Sequence, residues 1–224
     1  MTRDKLADVA DRKALERQGI AVRARLERDP SVYRVPSEAA EIYAVADFLG
    51  AAECARFRDM VDKVAVPSST FDQARQSTYR TSYSGDVSRD DPFVQMIERR
   101  IDDLLGIDSA MGETVQGQRY IVGQEFVGHY DWFLASAAYW PAEKMRGGQR
   151  SWTAMIYLND VEAGGETEFA RLGISVPPQQ GMLLCWNNAR PDGTPNQQTM
   201  HAALPVTSGV KYVITKWYRT RAWG

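Results

Sequence analysis

Gly123-Gln124-Glu125-Phe126-Val127-Gly128-His129-Tyr130-Asp131-Trp132-Phe133 is the stretch from which the rest of the chain is read. Its aromatic and β-branched residues, approached through glycine, are those of an extended strand. Side chains two apart on a strand share a face. His129 and Asp131 therefore project together, while Tyr130 and Trp132 project to the other side. One neutral ring nitrogen and one carboxylate on a common face make two thirds of a metal site. The chain has 2 histidines, and the other is His201. A His-x-Asp pair alone is more often a solvated or hydrogen-bonded surface pair, so the remaining sequence must carry the argument.

At 224 residues the chain is long enough for one substantial core. A hydrophobic fraction of 44% and a charged fraction of 25% are ordinary for a soluble globular protein. A formal charge of −2 argues against binding nucleic acid through a broad basic face, and no nucleic-acid partner is expected. Met1-Thr2-Arg3-Asp4-Lys5-Leu6 is charged and has no apolar h-region, so no secretory signal is expected. No apolar run approaches the roughly 20 residues of a membrane span, and no membrane association is expected. The 2 cysteines, Cys54 and Cys185, are too few for a disulfide framework and read as buried apolar residues. A reducing, cytoplasmic setting is expected.

Residues 4–27 are rich in Ala, Leu, Arg, Glu and Lys, contain no proline, and predict a helix interrupted only by Gly19. Leu15, Val22 and Leu26 share one face of it, suited to covering a sheet or a partner subunit. Asp29-Pro30-Ser31 ends it. Residues 41–49 read as a strand, 51–64 as a helix after Gly50, and 67–70 as a loop. Residues 79–85 read as extended. Asp91-Pro92 opens a helix that Gly106 stops. After Glu113 the character changes. Residues 114–133, 151–158, 174–176, 182–186 and 210–218 are strand-like, separated by Gly, Pro, Asn and Asp clusters. Many short strands joined by turns predict a sandwich, jelly roll or barrel with helices outside. Residues 135–148 read as a flexible loop that could carry substrate contacts.

Two His and one carboxylate on one face of a metal leave the opposite positions open, as in non-haem Fe(II) oxygenases. His201 precedes Lys211, which lies inside a strand-like run. Lys211, Val213, Thr215 and Trp217 share one face, and Tyr212, Ile214, Lys216 and Tyr218 the other. If the first face lines the interior, Lys211 is a buried cation in need of an anion. No carboxylate lies on that strand, and a bound dicarboxylate would answer the need. Alternation alone leaves either face inward.

Tyr120-x8-His129-x-Asp131, Gly164-Gly165-Glu166-Thr167, His201-x9-Lys211 and Lys216-Trp217, in this order, resemble the prolyl 4-hydroxylases of the Fe(II)- and 2-oxoglutarate-dependent dioxygenase superfamily. The likeness runs from Glu41 to Trp217 and is strongest beyond Glu113. It implies an α+β, mainly β fold: a double-stranded β-helix (jelly-roll) core with flanking N-terminal helices. Residues 1–30 would be a helical extension and 31–224 a single catalytic domain. It implies that His129, Asp131 and His201 ligate Fe(II) and serve catalysis. Lys211, Tyr120 and Thr167 would hold the distal carboxylate of 2-oxoglutarate. Arg80, Ser82, Glu113, Arg150 and Trp217 would contact a peptide or shape the mouth of the site. Tyr212 stands where many relatives carry Trp beside the lysine, a departure that leaves the chemistry intact.

The resemblance implies that 2-oxoglutarate and O2 are converted to succinate and CO2 while a peptidyl proline gains a hydroxyl at C4, with L-ascorbate as reductant. Asp131 favours hydroxylation over halogenation, since halogenating relatives lack this carboxylate. The partner would be a Pro-rich peptide or protein, and Tyr83, Trp140 and Trp217 could stack on its proline rings. Trp152 and Trp186 read as packing. The N-terminal helix is where a homodimer contact would be sought. Three alternatives stand beside this reading: the same chemistry on a free amino acid or other small molecule, a zinc hydrolase, and a non-catalytic metal-binding β-barrel.

Overall fold

The computed structural model describes residues 9–69 and 79–224. Among the described residues four α-helices form where spacing and caps dictate: α1 (Val9–Leu26), α2 (Ala51–Val64), α3 (Pro92–Leu105) and a short α4 (Trp140–Met145). The start of the predicted residue 4–27 helix lies outside the described residues. At the head of α3 the Asp91 side chain accepts from Phe93 N at 2.8 Å, with proline next in line; Gly106 closes the helix at φ 67°. The Gly50 N–H at the head of α2 donates to Glu53 at 2.8 Å.

The strands are β1 (Val32–Arg34), β2 (Ile42–Val45), β3 (Val66–Pro67), β4 (Tyr83–Asp86), β5 (Gln116–Tyr120), β6 (Phe126–His129) and β7 (Arg150–Tyr157). They continue with β8 (Ala163–Gly164), β9 (Thr167–Phe169), β10 (Ile174–Val176), β11 (Leu183–Asn187), β12 (His201–Ala203), β13 (Val206–Ser208) and β14 (Lys211–Arg219). An eight-stranded sheet runs β1-β2-β11-β7-β14-β5-β4-β3. A four-stranded sheet runs β10-β9-β12-β6, and β13 pairs with β8. From β6 onward the chain crosses repeatedly between the two larger sheets, with β9 and β10 paired within the smaller one, and the Gly, Pro and Asn clusters supply the turns.

Period-2 alternation divides the large sheet into two faces. On β7, Trp152, Ala154 and Ile156 join the helix-side core; Met155 and Tyr157 face the smaller sheet. On β11, Leu183 and Cys185 go to the helices and Leu184 and Trp186 to the interior. The helix side is completed by Val22 and Leu26 of α1, Phe57 and Val61 of α2, and Val94, Ile97 and Ile101 of α3. The predicted apolar face of α1 thus covers its own chain: Leu15, Val22 and Leu26 are all buried.

Three stretches differ from expectation. Only Ile42–Val45 of residues 41–49 is strand, because the chain turns at Ala46–Phe48. Of the expected loop 67–70, Pro67 belongs instead to the two-residue edge strand Val66–Pro67 on β4, an edge being where a proline is tolerated; residues 68–69 are irregular, and 70 lies outside the described residues. Residues 135–148 are not a featureless loop. They contain α4, whose Trp140 and Glu143 are buried.

On β14 the helix-side residue Lys216 is buried as well. Its Nζ lies 2.7 Å from Asp102 Oδ1 and 3.4 Å from Glu98 Oε1 on α3, and the Tyr218 hydroxyl donates to Asp102 at 2.6 Å. A buried charge left without its partner is costly. Lys216→Met should therefore lower stability by about 3–5 kcal/mol, read from urea unfolding. A loss under about 1 kcal/mol would show that α3 and β14 do not depend on this pair.

Candidate active site

The metal-ligating types converge because of strand register. In the small sheet His201 of β12 lies directly opposite His129 of β6. The ring centroids are 4.3 Å apart. Asp131 sits in a bend just past β6 rather than on the strand, and the bend turns its carboxylate toward both rings. His129 Nε2 is 3.9 Å from Asp131 Oδ1, and His201 Nε2 is 3.7 Å from Oδ2. One ligand atom from each of the three lies within 4.8 Å of the others, the one such cluster among the described residues.

The geometry fixes the tautomers. His129 Nδ1 is 3.0 Å from the Val127 carbonyl, and His201 Nδ1 is 3.0 Å from the Thr199 carbonyl. A carbonyl only accepts, so each Nδ1 carries the proton and each Nε2 presents a lone pair to the shared space. Burial, with His201 adding to it, pushes the His129 pKa down to about 3, so the ring is neutral. Burial works against the Asp131 carboxylate, but His201, His129, Arg150 and the Thr153 hydroxyl outweigh it and its pKa falls below the usual carboxylate value. Two free imidazole nitrogens and one carboxylate oxygen suit a divalent transition metal with open positions.

Behind the carboxylate runs a relay. Asn188 Nδ2 donates to Thr153 Oγ1 at 2.9 Å, and Thr153 Oγ1 donates to Asp131 Oδ2 at 2.7 Å. Asn188 occupies an acceptor position on the hydroxyl, so its proton goes to Asp131. Neither residue has a sequence signal: each is one polar residue in an ordinary strand or turn.

The three ligand residues line a narrow cleft partly open to solvent. Lys211, Tyr120 and Thr167 are among the residues that line the same cleft. Lys211 is 1% exposed, and among the described residues no carboxylate lies within ion-pair distance of its Nζ. Burial pushes its pKa down to about 7, with Glu166 opposing. Thr167 begins β9 rather than a turn; its hydroxyl accepts from Tyr157 at 2.7 Å and is left able to donate into the cleft. Tyr120 donates to Gln118 at 2.7 Å, and Gln118 donates to Thr215 at 3.1 Å. Gly164 lets this lining form, because a Cβ there would collide with the Pro205 carbonyl.

Of the residues expected at the mouth, Trp217 lines the cleft, while Arg80, Ser82, Glu113 and Arg150 stand behind its lining. Arg80 donates to Ser82 Oγ at 3.1 Å and to Gln116 at 3.0 Å, and lies over the Phe126 ring, itself stacked on His129. Arg150 and Glu113 form a two-bond ion pair at 2.6 and 2.7 Å. The Arg150 guanidinium covers the Trp217 ring at 4.1 Å. Two aromatic expectations need correction. Trp140 is buried beside Phe133 and is not offered to a ligand. Trp186 does more than pack: it meets His201 edge-on at 4.7 Å and lines the cleft with Phe126 and Met155.

Residues 115–219 match the model of the 2OG-Fe(II) oxygenase superfamily. Prolyl 4-hydroxylase 5 of Arabidopsis thaliana is 32% identical over 196 residues, covering 77% of this chain and 66% of the relative. The chain belongs to the prolyl 4-hydroxylase family of 2OG-Fe(II) oxygenases. The alpha-2 subunit of the Caenorhabditis elegans prolyl 4-hydroxylase is 34% identical over 156 residues, 69% of this chain but 29% of that subunit. The chain thus spans less than two thirds of the length of these curated relatives.

Solved structures add the fold. A viral collagen prolyl hydroxylase of Paramecium bursaria Chlorella virus-1, in its 2OG complex, superposes with TM-score 0.62 at 26% identity, covering 80% of this chain and 94% of that one. A Trichoplax adhaerens prolyl hydroxylase in complex with a hypoxia inducible factor peptide fragment shares the fold at TM-score 0.61 and 16% identity, over 97% of this chain and 96% of that one.

The relay yields a test. Thr153→Val keeps the side-chain shape and removes the donor to Asp131. Titration of the apoprotein with Mn(II) should show about 10–100-fold weaker binding, the usual effect of losing a partner that orients a ligand. Thr153→Ser should retain most of the affinity. Equal affinity in wild type and Thr153→Val would mean that the hydroxyl does not orient the carboxylate.

Proposed function

We propose that this protein is an Fe(II)- and 2-oxoglutarate-dependent dioxygenase that hydroxylates peptidyl proline at C4. The observation that carries it is one cleft lined by two histidines, a carboxylate and a buried lysine that has no carboxylate within ion-pair distance among the described residues. His129, His201 and Asp131 would hold the metal. Lys211 and the Thr167 hydroxyl would hold the distal carboxylate of the co-substrate, and the Tyr120 phenol would join them by turning its proton away from Gln118. When bound, iron with 2-oxoglutarate and O2 supplies an oxidative decarboxylation to succinate and CO2 that hydroxylates an unactivated C–H. The strand alternation between the two sheets supports reading the core as a double-stranded β-helix.

The chain's own contribution is placement and dryness. Trp186, Phe126 and Met155 form an apolar wall beside the ligand residues and keep water from the reacting centre. Trp217, held under Arg150, offers an aromatic face at the mouth on which a proline ring would stack. Glu113 holds that guanidinium in place through both of its oxygens. Ascorbate enters as the external reductant of the assay.

Purified protein with Fe(II), 2-oxoglutarate, ascorbate and air should form succinate in proportion to a Pro-rich peptide that gains one oxygen on proline. Asp131→Ala should abolish both products. Succinate without a peptide mass change would move the substrate to a free amino acid or another small molecule. Unimpaired turnover by Asp131→Ala would remove the ligand assignment.

Lys211 adds a pH signature. In the free protein the amine is charged below about 7 and loses its proton as the pH rises through that value. A bound dicarboxylate favours the ammonium and raises its pKa. Binding of 2-oxoglutarate should therefore take up about one proton well above pH 7 and almost none well below it. Calorimetry in buffers of different ionisation enthalpy measures this. No proton uptake at the higher pH would show that Lys211 is not the group receiving the carboxylate.

A further inference from the structure

Helix α1 lies outside the region that matches the superfamily, residues 115–219, yet its first turn touches both segments that flank the site. Asp11 is 1% exposed. Its Oδ1 accepts from Thr220 Oγ1 at 2.6 Å and from Arg221 Nη1 at 2.6 Å. The same two residues grip the segment that follows Asp131. Arg221 donates from Nη2 to the Lys144 carbonyl at 2.7 Å and from its backbone to the Gly147 carbonyl at 3.0 Å. Thr220 N donates to the Gln149 carbonyl at 2.9 Å. Gly148, at φ +78°, packs so closely here that a Cβ would fall 2.6 Å from Asp11 Oδ1.

The grip is passed inward. The Gln149 side chain clamps Phe133 on both sides, accepting from Phe133 N at 2.6 Å and donating to Phe133 O at 2.8 Å. Phe133 lies two residues beyond Asp131, and the Arg150 guanidinium sits over its ring at 4.9 Å. The other flank is met by the next residue of α1. Arg12 donates to Asp192 at 2.9 and 3.0 Å, and a Cβ on Gly193 would collide with the Arg12 carbonyl. That second contact is exposed and contributes little. Asp11 is the buried one, and a carboxylate is kept out of water only where its partners compensate.

We propose that α1 braces the mouth of the site and that Asp11 is a positioning residue for the peptide-binding end. This rests on the peptide-hydroxylase reading above. Asp11 fixes Thr220 and Arg221, these fix residues 144–149, and residues 149–150 fix Phe133 and the guanidinium above Trp217. The 2-oxoglutarate end, at Lys211 and Thr167, is not part of this chain of contacts.

The test uses the full chain. Native-state trypsin cleavage after Lys144 and Arg146, followed by mass without iron or co-substrate, reads the brace directly. Asp11→Ala should raise that rate at least about tenfold, since hydrogen bonds to a charged group are lost. The KM for a Pro-rich peptide should rise by a similar factor while the KM for 2-oxoglutarate stays within about twofold. Arg221→Ala should do the same, and the double variant should be no worse than either single one.

Unchanged cleavage in Asp11→Ala, or strictly additive effects in the double variant, would overturn the proposal. So would equal rises in both KM values. If Asp11→Ala fails to fold, Thr220→Val removes one of the two donors and decides by the same cleavage assay: faster supports the brace, unchanged removes it. A wild-type protein that forms no peptide-dependent succinate would instead defeat the reading on which the KM arm depends. The cleavage arm would still judge the brace.

Discussion

The pairing of His201 opposite His129 across β12 and β6 is the constraint on which the site depends. The register shifts by one residue between His201 and Ala203, where the two short strands carry a bulge, and a further slip at His201 would turn one ring to the opposite face. The register is supported from both sides. Phe126 stacks on His129, and Trp186 and Phe169 pack against His201. Each ring is also tied to a carbonyl of its own chain two residues earlier. Ring orientation is therefore settled locally, and the sheet has only to bring two finished units together.

The large sheet shows how one strand can serve stability and chemistry at once. β14 carries two buried lysines of opposite parity. Lys216 faces the helices and meets Asp102 and Glu98; Lys211 faces the cleft and meets no carboxylate among the described residues. The desolvation cost is common to both. Lys216 has it offset by two carboxylates, whereas Lys211 has the Tyr120 and Tyr157 rings, at 5.3 and 5.6 Å, in their place. Strand alternation put the two lysines on opposite faces in the sequence; that both faces are buried is set by the helices packed on one side and the smaller sheet on the other.

What the sequence could show followed from local rules. Asp91-Pro92 and Gly106 delimit α3 through capping chemistry, and the apolar face of α1 was readable from its spacing. The ordered motifs brought out His129, Asp131, His201, Lys211, Tyr120 and Thr167, all of which line one cleft. What stayed hidden is set by tertiary contact. β8, β9, β12 and β13 are two or three residues long, too short for a period to register. Thr153 and Asn188 gain their meaning only from the carboxylate beside them. Trp140 looks like any mouth aromatic until α4 folds it under. Asp11 is one acid in a charged helix, and its partners lie at the far end of the chain.

The local tethering of the two histidines has a further consequence for which metal is found there. Their ring nitrogens are aimed by contacts of the chain itself, through the Val127 and Thr199 carbonyls, unlike those of sites that order only around their metal. Such a socket accepts ions in the general order of their affinity for nitrogen and oxygen donors, and iron ranks below cobalt, nickel and copper in that order. Nothing in two imidazoles and a carboxylate reverses the ranking. Occupancy by iron is then decided by what the surroundings deliver, and a protein purified over a nickel resin would carry away the wrong guest.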